Sequence, residues 1–137
     1  MKRGEAKVEA IRYWWEKALE SLEAARRDQE AESFSFAINR AYYALFYAVS
    51  ALLLEEGRRF EKHSGVRAAF NRHFIKTGRL GRKYGDLYNR LFRDRHEGDY
   101  VEFTKFDDRY VRETIEGCEE FLEQIRSLIK SLPQNVR

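Results

Sequence analysis

The sequence predicts an all-α protein, an antiparallel up-and-down bundle of four to five helices, and three observations carry that prediction. Pro133 is the only proline in the 137 residues. No stretch alternates polar and apolar residues as a half-buried strand must. Apolar residues recur instead at three- and four-residue steps through most of the chain, which is the helical period. A chain of this length is expected to form one domain, residues 1–137, with a core large enough to fold without staples.

The first helix is expected from about Glu5 to Asp28. Its apolar stripe is Val8, Ile11, Trp15, Ala18, Leu22 and Ala25. The second runs from Ser33 to Glu56, with Ser33 as N-cap and Gly57 as stop. Between Phe36 and Leu54 its strongly polar residues are Asn39 and Arg40. A helix that is apolar nearly all round belongs at the centre of a bundle. Arg40 is therefore expected in the core, where a guanidinium needs a carboxylate or carbonyl partner.

A basic loop, Arg58 to Lys62, leads to a third helix beginning near His63 or Ser64 and ending by Gly78. Its inward residues are expected to be Val66, Ala69, Phe70 and Phe74. Gly78, Gly81 and Gly85 are read as a flexible connection, with a fourth helix from about Asp86 to His96. The last helix starts at Asp107 or Asp108, whose carboxylates suit a helix N-terminus. Val111, Ile115, Cys118, Leu122, Ile125, Ile129 and Leu132 then recur with heptad spacing. That stripe fits either a neighbouring helix of the same bundle or a self-association seam. Pro133 is expected to end the helix and leave a frayed tail.

Charge and cysteine content narrow the function classes. The net charge is +3, but Gly57–Arg95 holds 12 Lys and Arg against 3 Asp and Glu, a local +9 against −6 elsewhere. A basic middle between acidic ends points to an anionic partner, or to acidic helices answered within the fold. The single Cys118 excludes an internal disulfide. The polar N-terminus carries no signal-peptide pattern. The apolar run Ala41–Leu54 is short for a membrane span. A cytoplasmic protein without a membrane role is expected. His63, His73 and His96 are scattered, so no metal site and no cofactor are expected. The glycines Gly78, Gly81 and Gly85 lack the spacing and the preceding strand of a phosphate loop.

One segment offers chemistry. Arg90, Arg93 and Arg95, with His96, Glu97, Asp99 and Tyr100, crowd one helix end. Arginine with histidine is what metal-independent RNA cleavage needs. The imidazole moves a proton on or off a 2′-hydroxyl near neutral pH, and the guanidinium offsets charge building on the phosphate. Arg90, Arg95 and His96 are the candidate catalytic residues. A solvated helix C-terminus has the same composition.

The chain also resembles the HEPN superfamily of small helical proteins, closest to a stand-alone prokaryotic branch. The residues that carry the likeness are Ser35-x-x-Ile38-x-Arg40-Ala41-Tyr42-Tyr43-Ala44-x-Phe46-x-Ala48 and the helix end Ala51–Gly57. To these add His63-Ser64-Gly65-Val66, Phe74–Gly78 and Arg95-x-x-Gly98-Asp99-Tyr100. The resemblance implies an up-and-down bundle that forms a homodimer and pairs with a minimal nucleotidyltransferase in a toxin–antitoxin-like module. It also implies contact with nucleotide or RNA. HEPN ribonucleases carry Arg, four to six residues, then His. Here Arg95 is followed by Tyr100 where a His would stand, while Arg90 and His96 keep the spacing. A tyrosine near its ordinary pKa of about 10 is a poor proton acceptor at neutral pH. The resemblance further suggests Asp99 as the partner of Arg40, with Tyr43 and Tyr100 hydrogen-bonding around them. These four residues are either a structural strut or an anion-binding pocket.

Overall fold

The computed structural model describes the backbone of residues 3–100 and 106–137, and the side chains of residues 4–95 and 106–137. Helices α1 (Arg3–Glu30) and α2 (Phe34–Glu55) form an antiparallel pair. They are followed by α3 (His63–Phe70), which runs on into a π-helical turn (Asn71–Ile75), then α4 (Arg82–Tyr100) and α5 (Asp108–Leu128). No strand occurs among the described residues, and the all-α expectation holds.

Each boundary has a local cause. Helix α1 ends in a Schellman motif: the Ser33 N–H reaches the Asp28 carbonyl at 2.8 Å, with Glu32 left-handed at φ 58. Helix α2 ends the same way. The Arg58 N–H bonds the Leu53 carbonyl at 2.7 Å, and Gly57 supplies the positive φ of 77. Asp107 caps α5, its carboxylate accepting from the Tyr110 N–H at 2.8 Å.

Helix α2 is the hub: α1, α3, α4 and α5 all pack on it. Twelve of its residues are buried, from Ala37 to Leu53. By length and composition it could cross a membrane, but 67% of its most apolar window is buried inside the fold, as befits a bundle's core helix. The inward stripe of α1 is buried from Ile11 to Ala25, as are Val66, Ala69, Phe70 and Phe74 of the third segment. The heptad stripe of α5 is buried in the chain's own core against α1 and α2, so it does not serve as an external seam.

Four expectations are corrected. Arg40 is not in the core: its side chain is 55% exposed and lies 3.8 Å from Asp28 of α1. Its neighbour Ala41 is fully buried and Asn39 before it is half-buried, so the exposed edge of the helix passes through Arg40. Second, α4 starts at Arg82, and Gly85 is not a breaker. It lies inside the helix where the π turn presses on α4. A Cβ there would stand 3.0 Å from both Asn71 Oδ1 and Ile75 Cγ1. Third, α5 stops at Leu128, ahead of Pro133, yet Ile129 and Leu132 stay buried in the non-helical segment beyond it. Fourth, the tail is tied down. The Arg126 guanidinium donates to the carbonyls of Ile129 (2.9 Å), Pro133 (2.7 Å) and Val136 (3.0 Å). The Trp15 indole N–H donates to the Arg137 carbonyl.

The Gly85 contact makes a direct test. Gly85→Val is expected to destabilise by about 2–3 kcal/mol through overpacking. At Gly4, where nothing lies within 4 Å, the same change is expected to cost no more than about 0.5 kcal/mol. Urea unfolding midpoints of the two variants read the difference.

Candidate functional site

The beginning of α3 lies across the middle of α2, and that crossing assembles a polar cluster on an aromatic floor. Tyr42 and Tyr43 are adjacent on α2, so one ring points in and the other along the rim. Tyr42 is fully buried, whereas Tyr43 is half-buried. The Tyr42 hydroxyl and His63 Nδ1 share a hydrogen bond of 2.8 Å. The imidazole stacks on Phe46 with ring centres 4.0 Å apart. Arg95, from α4, lies over both tyrosines, 5.0 Å from the Tyr42 ring centre and 5.3 Å from that of Tyr43. Its Nη2 donates to the Tyr43 hydroxyl at 3.2 Å.

A second guanidinium stands nearby. Arg67 follows His63 by one turn of α3 and covers Phe92 at 4.3 Å. Its Nη1 donates to Asn89 Oδ1 at 3.1 Å, and Asn71 Nδ2 donates to the same oxygen at 3.2 Å. Among the described residues, the buried Nε atoms of Arg67 and Arg95 have no hydrogen-bond partner. Cationic donors held by rings and amides keep their full charge available to an anion.

The protonation states follow from burial. Desolvation, with a smaller contribution from the Arg95 charge, lowers the His63 pKa below its ordinary 6.5. Burial raises the Tyr42 hydroxyl far above the phenol range, against the opposing pull of Arg95. Near neutral pH the imidazole is neutral and the phenol protonated. The phenol can donate to Nδ1, or accept from Nδ1–H and leave Nε2 free to take a proton. That second arrangement is what a general base requires.

Of the residues proposed from sequence, Tyr43 and Arg95 meet here. Arg40 lies apart, beside Asp28 of α1. Arg90 belongs to a separate group, over the Tyr110 ring at 4.9 Å, with Nη1 on the Thr114 hydroxyl at 3.3 Å. Tyr110 donates to Asp94 in that group. The side chains of His96, Asp99 and Tyr100 lie outside the described residues, as does the expected Arg40–Asp99 pairing. Sequence reasoning did not assign His63, Arg67, Asn71 or Asn89 to a site. Three of them stand at four-residue spacing along one helical lane, and that polar ladder was the available signal.

The lowered pKa of His63 has a definite sign. Below about pH 6.5 the unfolded chain takes a proton that folded His63 resists. The contribution is therefore complete above that pH and is lost as pH falls toward the folded value. The wild type is expected to lose stability on acidification from pH 7 to 5 more steeply than His63→Phe, which keeps the stack on Phe46. His73, also lowered, is common to both proteins and drops out of the comparison of their urea midpoints.

Comparison with known proteins agrees with this architecture. The sequence is 48% identical over 126 residues to a UPF0332 protein of Thermotoga maritima, covering 92% of this chain and 96% of that one. It is 38% identical over 99 residues, 70% of this chain and 67% of the other, to a Methanocaldococcus jannaschii protein named as a candidate toxin. A second protein of that organism, also named as a candidate toxin, is 31% identical over 124 residues, 90% of this chain and 92% of its own length. The model of the HEPN domain matches residues 11–128, which takes in α1 from Ile11 onward, the other four helices and every member of the polar cluster, and the chain belongs to the HEPN-domain family.

Proposed function

We propose that this protein is the HEPN component of a toxin–antitoxin-like module and that it binds a phosphate-bearing ligand, nucleotide or RNA, over the Arg95–Tyr43–His63 cluster. The observation that carries the proposal is that Arg67 and Arg95 stand beside His63 with aromatic rings and the Asn89 amide, rather than carboxylates, as their described neighbours. Two guanidinium groups in that setting suit phosphate oxygens, which they meet with paired N–H donors. The candidate-toxin names of two relatives support the module. A partner of the minimal nucleotidyltransferase kind and a homodimeric state belong to the same proposal and rest on the family resemblance, and a cytoplasmic setting belongs to it on the composition of the chain.

A second reading, metal-independent RNA cleavage, is favoured by one observation. His63 is held by Tyr42 and kept neutral beside Arg95. This is a base next to a charge stabiliser, and in this reading His63 takes the proton-moving role that sequence reasoning gave to His96.

Both are tested in one experiment: labelled single-stranded RNA at low salt with EDTA, binding read by anisotropy and integrity by gel. Wild-type protein is expected to bind. Arg95→Ala is expected to weaken binding about tenfold or more, the effect of one charged hydrogen bond. Cleavage lost in His63→Ala establishes the second reading. Intact RNA with binding retained supports the first alone. No binding by folded wild-type protein overturns both.

A further inference from the structure

Beyond Asn39 and Arg40, the residues of the buried span of α2 that reach solvent are Tyr43, Tyr47 and Ser50, and Leu54 continues their line. Their spacing of four, three and four keeps them on one face. That face is left uncovered between α1 and the start of α3. On one side Trp14 of α1 stacks on Tyr47, ring centres 5.5 Å apart and 24° from parallel. On the other stand His63 and Phe60. The face runs about 16 Å from Tyr43 to Leu54, at about 1.5 Å per helical residue. Arg95 closes its upper end on Tyr43. At the lower end a hollow is lined by Trp14, Ser50, Phe60, Arg58 and Arg59, with Glu61 its single carboxylate. Arg58 and Arg59 are exposed, and neither forms an ion pair among the described residues.

We infer that this strip is a track for single-stranded RNA, with bases against the Trp14–Tyr47–Phe60 aromatic surface and phosphates on Arg95 at one end and Arg58 and Arg59 at the other. The inference rests on the proposal of a phosphate-bearing ligand and narrows it to a polymer. A free nucleotide carries one base and one group of phosphates, and cannot engage guanidinium groups at both ends of a strip this long. A single strand offers repeated ring faces and repeated charges, the two things an aromatic floor with basic ends recognises. An acidic protein segment would satisfy the arginines but does not supply a ring face with every charge, as a single strand does.

The two tryptophans make the track readable. Trp14 stands on it, while Trp15 is buried. A short oligouridine added to the full chain is expected to quench tryptophan emission, and Trp14→Phe is expected to remove most of that change. Phe60→Ala is expected to weaken binding about fivefold or more. Arg58→Glu with Arg59→Glu is expected to weaken it at least tenfold and to flatten the salt dependence by about 0.7 per lost contact. Uridine monophosphate is expected to bind far more weakly than the oligomer. Thermal melts of all variants confirm folding.

The track is overturned if the oligomer binds with Trp14 silent and the Phe60 and Arg58/Arg59 variants unaffected, while Arg95→Ala still weakens binding. That pattern leaves the Arg95 site standing alone. Equal affinity for monophosphate and oligomer overturns the polymer. Absence of any binding by the folded wild type overturns both the track and the proposal beneath it.

Discussion

Helix α2 cannot face water, and the arrangement of the other helices answers that constraint. A 22-residue helix with apolar side chains on nearly every face must be covered from several directions at once. Helices α1, α4 and α5 and the segment from His63 to Ile75 each take a side. The crossing of α3 over the middle of α2 brings His63 onto Phe46 and Tyr42. The approach of α4 brings Arg95 onto the same tyrosines. The polar cluster is thus a consequence of closing the core, and its floor is rigid because that floor is the core.

Much of the fold was legible because burial writes itself as periodicity. The stripes of α1, α3 and α5 are the buried stripes, and Ser33, Gly57 and Asp107 mark the ends they were expected to mark. What misled was the same signal at single positions. Arg40 stands in an apolar run, and composition cannot tell which lane of a nearly all-apolar helix stays open. Asp28, one helix earlier, occupies the facing position. Gly85 looks like a chain breaker, but its small size answers a neighbour distant in sequence, Ile75 on the π turn. Arg126 looks like an ordinary C-terminal basic residue, yet it gathers the carbonyls of the tail.

The site was legible only in halves. Tyr43 and Arg95 were found because each sits in a dense local pattern. The ladder His63, Arg67, Asn71 is sparse, and it acquires meaning only when α3 is laid across α2 and Asn89 arrives from α4. The basic middle divides likewise. Arg79 and Lys83 meet Glu56 and Glu120 of the same chain at its surface, at 2.6 and 2.5 Å. Arg58, Arg59 and Arg95 form no ion pair among the described residues, so acidic partners within the chain account for only part of the charge excess.

Cys118 has a practical bearing. Its thiol is wholly enclosed in the core, and burial pushes its pKa up to about 12. The reactive thiolate is therefore nearly absent at neutral pH, and reagents cannot reach the sulfur. As this is the chain's one cysteine, the native protein is chemically silent toward maleimides. A cysteine introduced on the surface would be labelled alone, so fluorophores or spin probes could be attached at a chosen helix without first removing the native residue.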